Sequence, residues 1–204
     1  GVKSIVDNVQ MDVTYTNSWY DPTAEAEAAN ALMSSGCIII SQHADSTGAP
    51  SACEAALDAG TTIYCVGYNI DMLSVAPKAA LTSAQNDWGV YYKYAFQCAV
   101  DGTEIATNWS EGYATGTNMI SPLGASCAAG TAEKVAEIEA GIKDGSLQVF
   151  DTAKFTVGGE HLSSYTGSYG MDGAETIDNG IFYESKLRSA PYFDLRIDGI
   201  KELN

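Results

Sequence analysis

His43 and Asp45 stand two residues apart in a dense polar run, Gln42-His43-Ala44-Asp45-Ser46-Thr47-Gly48. An imidazole and a carboxylate beside two hydroxyls could hydrolyse a bond, hold a metal or hydrogen-bond a ligand. Hydrolysis needs a nucleophile within reach of its base, and a third group orienting that base. Ser46 and Thr47 supply hydroxyls, but no Gly-x-Ser-x-Gly elbow surrounds them. The other histidine, His161, lies in a distant Gly/Ser-rich stretch. His43, Asp45 and Asp71 are a thin set for a metal, which draws several ligands at fixed spacings. His43 is then either a strand-end cap or a ligand hydrogen-bonder.

Trp19 is the sharper signal. It is a large aromatic side chain in a polar loop, between Asn17-Ser18 and Asp21-Pro22. It either packs its loop against a helix or offers a stacking platform to a planar ring. Trp88 is either a second wall or part of the following helix's core. Asp45, Asn69 and Asp71 supply directed acceptors, and the Asn amide also donates. With Gln42, His43 and Ser46 they complete a set suited to a small flat molecule: an aromatic plate and a few convergent polar groups. No catalytic role, metal or cofactor is assigned to any of them.

The elements that must hold these residues follow from the apolar pattern. Cys37-Ile38-Ile39-Ile40 is a short apolar run bounded by turn signals, and predicts a strand buried on both faces. Met11-Asp12-Val13-Thr14-Tyr15, Thr61 to Gly67 and Ala79 to Thr82 predict three more strands. Each ends at a polar cluster: Thr16 to Pro22, Tyr68 to Asp71, and Ser83 to Trp88. Helical patterns at Thr23 to Ser35 and Pro50 to Ala59 lie between them. Strands alternating with helices imply a parallel sheet, with all four clusters on one edge, where α/β folds bind ligands.

Further along, Asp87 to Val100 predicts a helix with an aromatic face that ends near Gly102. Met119 to Ser121 predicts an extended segment, and Thr131 to Asp144 a helix stopped by Gly145. Leu147 to Phe150 and Phe155 to Val157 predict late strands. Residues 158–180 predict a loop or hairpin excursion, and 181–204 short strands or a closing helix. Three parts result: residues 1–84 as an α/β lobe carrying the cleft loops, 85–130 as a crossover helix and return, and 131–204 as a closing helix, late strands and tail.

The bulk composition excludes some functions. At 204 residues and 46% hydrophobic, the chain can bury a core. Its formal net charge of −16, with no basic run, argues against nucleic acid, which requires a positive face. No apolar run approaches the roughly 18 residues of a membrane span. The five cysteines form no CxxC and no zinc spacing with a histidine. Cys37 and Cys65 fall in strands, as small hydrophobes. Cys98 and Cys127 are the one plausible disulfide pair.

At four stretches the sequence resembles the basic membrane protein family of ABC-transporter substrate-binding lipoproteins. They are Asn17-Ser18-Trp19-Tyr20-Asp21-Pro22, Gln42 to Gly48, Gly67-Tyr68-Asn69-Ile70-Asp71-Met72, and Leu81-Thr82-Ser83 with Asp87-Trp88-Gly89. Ala76-Pro77-Lys78-Ala79 also fits. The Gln-His-x-Asp-Ser form is similar to the purine-binding branch. An aspartate of the nucleoside receptors is Asn69 here, and a lysine is Asn86, which disfavours ribose-type contacts.

The resemblance covers residues 1 to about 160. It implies a type I periplasmic-binding-protein fold, two α/β lobes about a hinge. It implies an extracytoplasmic receptor for a purine nucleobase or nucleoside, feeding an ABC permease and performing no chemistry. It also implies an N-terminal segment ahead of Gly1, with the lipid-bearing cysteine and the lobe's first strand. Such a chain would not be a self-sufficient monomer. The rival readings are a hydrolase using His43 and Asp45, and a surface antigen without a transport role.

Overall fold

A computed structural model describes residues 1–166, 173–184 and 195–204. In chain order the elements are β1 (Met11–Val13), α1 (Pro22–Ser34), β2 (Ile39–Ser41), α2 (Gly48–Asp58), β3 (Tyr64–Tyr68), β4 (Ala80–Asn86), α3 (Trp88–Asp101), β5 (Asn118–Ile120), α4 (Thr131–Asp144), β6 (Ile177–Asp178), β7 (Ile181–Phe182) and β8 (Ile200–Glu202). They fall into two compact units.

The larger unit comprises Thr14–Ile105, Glu111–Glu139 and Leu203–Asn204. Its sheet has the order β2-β3-β4-β5, parallel except for the last strand. This is the α/β architecture expected. The helices follow from their ends. Asp21 Oδ1 accepts from the N–H groups of Thr23 and Ala24, and Pro22 opens α1 with its φ preset. Asp87 caps α3 in the same way through Gly89 N–H. Gly102 closes α3 at φ +66°, a left-handed conformation that costs glycine little. The core packs α1 and α2 on one sheet face around Ala29, Ile40, Cys53, Ile63, Cys65 and Met72. At Gly67 in β3 there is no room for a side chain. A Cβ would meet Met72 Cγ at 2.4 Å and Ser83 Oγ at 2.5 Å.

Four expectations for this unit change. Met11–Val13 is not part of its sheet, so three polar clusters, not four, follow strands of one sheet. A strand with Asp12 at its centre suits a half-exposed position, not an interior one. Of the run Ile38–Ile40 only Ile40 is buried, and Ile38 lies ahead of the strand. Ile40 is 3% exposed, but Ile38 is 66% and Ile39 52% exposed. Ile40 packs into the core with Ala29 of α1 and Cys53 of α2, whereas Ile39 points to the opposite face; among the described residues β2 is also the sheet's edge strand. The fourth strand runs to Asn86, because β5 pairs antiparallel with Ala84–Asn86 beyond the end of β3. Finally, Cys98 and Cys127 are free thiols, as are the other three. Cys98 is buried, while Cys127 Sγ donates to Leu81 O at 3.4 Å. The hydrogen bond shared with Cys53, together with burial, pushes the Cys65 thiol upward and keeps it protonated.

The smaller unit comprises Gly1–Val13, Ala106–Ser110 and Ala140–Glu202. Here β1 pairs parallel with β8, Met11 opposite Ile200, and β6 pairs antiparallel with β7. Leu147 to Phe150 and Phe155 to Val157 are not strands. Asp151 Oδ1 accepts from Ala153 N–H and turns the chain into a short 3-10 helix, Thr152–Lys154. Gly158 and Gly159, both at positive φ, then reverse the chain directly after Val157. His161 Nδ1 lies 2.9 Å from Thr152 O and 2.8 Å from Phe155 O. Facing only carbonyl acceptors, it carries the proton and pins this turn. The excursion of 158–180 closes as a hairpin at the Thr166–Glu175 bridge, and its residues 167–172 lie outside the described residues. The tail shows short strands at β7 and β8. A closing helix there would fall mainly on 185–194, also outside them.

Candidate functional site

The candidate residues all belong to the larger unit, on the loops that follow β2, β3 and β4 and on the loop ahead of α1. Register sets them side by side. Ser41 is opposite Val66, and Gln42 N–H still donates to Val66 O at 3.3 Å. His43 therefore stands beside Tyr68, with ring centroids 4.4 Å apart and planes tilted by 43°. Asn69, at φ +70°, turns the chain out of β3 while its N–H donates to Ala84 O at 2.7 Å.

The loop ahead of α1 joins this rim although no strand of the sheet precedes it. Asp45 N–H donates to Trp19 O at 2.7 Å. The Trp19 side chain is 74% exposed, so its ring is not core packing. Asp45 is exposed too, and among the described residues its carboxylate has no hydrogen-bond partner. An aromatic face and a free carboxylate thus sit on two loops tied by one backbone bond.

Three other candidates hold the rim together, and a fourth, Trp88, stands exposed beyond β4. Gln42 Nε2 donates to Ala44 O and Ser46 O, both at 2.8 Å, spending both amide protons on its own loop. Ser46 is fully buried, and its Oγ accepts from Gly48 N–H at 3.0 Å. Asp71 Oδ1 accepts from Leu73 N–H at 3.0 Å and caps a short 3-10 helix, Met72–Ser74. Trp88 opens α3 with its ring 61% exposed, held by the Asp87 cap. Asn86 Oδ1 accepts from Asn118 Nδ2 at 2.7 Å across the β4–β5 pair.

A residue that the motif reading passes over is Glu25. It is 3% exposed, and its Oε1 accepts from Asp21 N–H at 3.2 Å and Ser46 N–H at 3.3 Å. The sequence signal was a carboxylate one turn after the Asp-Pro helix start, reaching back to the cap residue as in a capping box. Its second bond, to a residue 21 positions on, had no sequence signal.

Among the described residues the rim shows no hydrogen-bonded nucleophile–base pair. Among the described residues His43 makes no hydrogen bond to Ser46, Thr47 or Asp45, and Ser46 Oγ is sealed from solvent. No group of three metal-ligating side chains gathers among the described residues. A cavity of about 270 Å³ lined by Asn30, Met33, Ser34, Ala56 and Thr61 lies at the far ends of α1 and α2, away from the rim.

A mostly parallel α/β sheet with its polar loops at the strand carboxyl ends is an open α/β ligand-binding architecture, and the class within it is a periplasmic-binding-protein fold. Solved structures agree on the fold. An ABC-transporter solute-binding protein from Conexibacter woesei matches with a TM-score of 0.56 at 19% identity, over 73% of this chain and 49% of that one. Another from Aeropyrum pernix matches with a TM-score of 0.53 at 15% identity, over 71% and 46%. The chain belongs to the family of PnrA-like ABC-transporter substrate-binding proteins, whose model matches residues 1–120. A purine-binding protein of Brucella abortus is 36% identical over 151 residues, 74% of this chain and 41% of that protein. A protein of Haloferax volcanii named as an ABC-transporter glucose-binding protein is 32% identical over 155 residues, 76% and 38%. The chain thus spans about two fifths of the length of these two relatives.

Proposed function

We propose that this chain carries ligand-contacting loops of an extracytoplasmic solute receptor that hands a purine nucleobase or nucleoside to an ABC permease. The observation that carries this reading is an exposed Trp19 ring and a carboxylate at Asp45 without a partner among the described residues, on two loops joined by the Asp45 N–H to Trp19 O bond. A flat heterocycle stacks on the indole, and the carboxylate accepts from an exocyclic amine or ring N–H. Asn69 offers both donor and acceptor, and His43, backed by Tyr68, offers a further polar edge. Trp88 is a second aromatic wall. Gln42, Ser46 and Asp71 hold the loops in shape. The protein binds and releases its ligand unchanged, and anchors to the cell membrane as a lipoprotein.

The Brucella relative's name supports the purine, while the Haloferax relative's name points to a sugar. A net charge of −16 disfavours a phosphorylated ligand. The test is calorimetry with adenine, guanine, adenosine, guanosine and glucose, with chromatography of the recovered ligand. Saturable binding of a purine, recovered intact, supports the reading. Binding of glucose alone, or hydrolysis of a nucleoside, overturns it.

A further inference from the structure

We infer that Glu25 is a positioning residue of the ligand rim, one that fixes the distance between Trp19 and Asp45 through a single buried oxygen. The inference rests on the reading of that rim as a ligand site. Carboxylates are rarely this buried without a paired charge. Glu25 is 3% exposed, and its partners are backbone N–H groups, not cations. Those N–H groups belong to two different segments. Asp21 ends the loop that carries Trp19, and Ser46 follows Asp45 directly. One oxygen, Oε1, accepts from both, at 3.2 and 3.3 Å.

The surroundings leave little slack. Asp45 N–H donates to Trp19 O on the outer side of the same junction. Gln42 Nε2 holds the carbonyls of Ala44 and Ser46 from within their own loop. At Gly48, a Cβ would stand 2.2 Å from Pro22 O, so the starts of α1 and α2 already touch. Glu25 Oε2, in contrast, is buried with no hydrogen-bond partner among the described residues. An unsatisfied buried carboxylate oxygen is a poor device for stability alone, since apolar replacements often fold as well. What an apolar residue cannot supply is one acceptor shared by the two loops. The role of Glu25 is therefore the spacing of the rim.

The experiment uses the full chain and three variants, Glu25→Gln, Glu25→Ala and Glu25→Met. Gln keeps an acceptor oxygen, and Met keeps apolar bulk without one. The first readout needs no ligand: acrylamide quenching of Trp19 in a chain where Trp88 and Trp109 are phenylalanine. The second is calorimetric affinity, with all tryptophans retained, for whichever of adenine or guanine binds the parent. Far-ultraviolet circular dichroism checks that each variant folds. The expected result is that Ala and Met alter Trp19 quenching and weaken purine binding about tenfold, the scale of a lost bond to a charged group. Gln should return quenching to the parent value and affinity to within about threefold, because a neutral acceptor bond is roughly half as strong.

If Met matches the parent in both readouts, the acceptor oxygen is irrelevant and the inference is wrong. If Gln is as impaired as Met, the shared bond is not what acts, and the inference is again wrong. Should Ala fail to fold, Gln against Met decides. If the parent binds no purine, the purine reading fails, and Trp19 quenching alone still decides the role of Glu25.

Discussion

Trp19 and Asp45 do different work from Asp71, although all three sit in polar loops beside strand ends. The Trp19 ring and the Asp45 carboxylate spend nothing on the fold, whereas Asp71 caps the 3-10 helix through Leu73 N–H. Trp19→Ala should therefore cost roughly 1–3 kcal/mol of purine affinity by calorimetry, with the melting temperature unchanged. Asp45→Asn should cost about 1–3 kcal/mol for adenine or guanine, because a charge-assisted acceptor is lost. Asp71→Ala should do the reverse, losing about 1 kcal/mol of stability, the typical worth of a cap, in thermal melts. Equal affinity for Asp45→Asn and the parent would move the site elsewhere. The loops and their polar content were legible in the sequence as clusters ending apolar runs. The division of labour within them was not. Gly48 N–H meets the Ser46 hydroxyl from two residues away, but the Ser46 backbone is held by Glu25 of α1, and no local pattern reveals a partner 21 positions off.

The helices were the most legible elements, because their signals are local. Asp21-Pro22, Asp87 and Thr131 start them, and Gly102 and Gly145 end α3 and α4 close to where the sequence places their ends. The strands were harder, since a strand's length depends on its neighbour. β4 gains residues from β5, whereas among the described residues Leu147 to Phe150 gains a single backbone bond, Phe182 N–H to Phe150 O, and no ladder. The close approach of α1 and α2 gives a test at this scale. Gly48→Ala drives a methyl into Pro22 O, and should destabilise by about 1–3 kcal/mol, the usual cost of overpacking. Denaturant melts would measure it, and a stable variant would mean the two helix starts are not locked. A second test concerns the hairpin at Glu175. The Ser164 hydroxyl, with the N–H groups of Tyr165 and Ile177, holds the Glu175 carboxyl down at about 2, against an ordinary 4.5. A lowered value stabilises the folded hairpin above about pH 4.5 and loses that contribution as pH falls towards 2. Protection factors of the Tyr165 and Ile177 amides, followed by NMR, should drop across that window. In Glu175→Gln they should be low throughout and change little with pH.

Across the whole molecule, the sheet of the larger unit ends on an apolar edge. Ile38 and Ile39 stand open at the start of β2, and α3 presents Trp88, Tyr92, Phe96 and Val100, four residues apart, as an exposed stripe. The sequence announced the apolar run at Cys37 to Ile40 clearly. It could not announce the exposure, because apolar composition states what a segment would bury and not whether a neighbour exists to bury it. Unpaired strand backbone beside bare isoleucines is a template for another chain, and natural edges are usually blunted by charge, most often lysine. β2 carries no charged residue. The 204-residue chain should therefore self-associate on its own at micromolar concentration. The double substitution Ile38→Lys with Ile39→Lys should restore a monomer. Each position is more than half exposed, so the stability cost should stay within about 0.5 kcal/mol apiece. Sedimentation velocity on parent and variant, with thermal melts of both, makes the comparison. A parent that sediments as one monomeric species would show that the edge is harmless as it stands. A lysine variant that associates as strongly as the parent would shift the cause to the aromatic stripe of α3, where Phe96→Lys is the corresponding substitution.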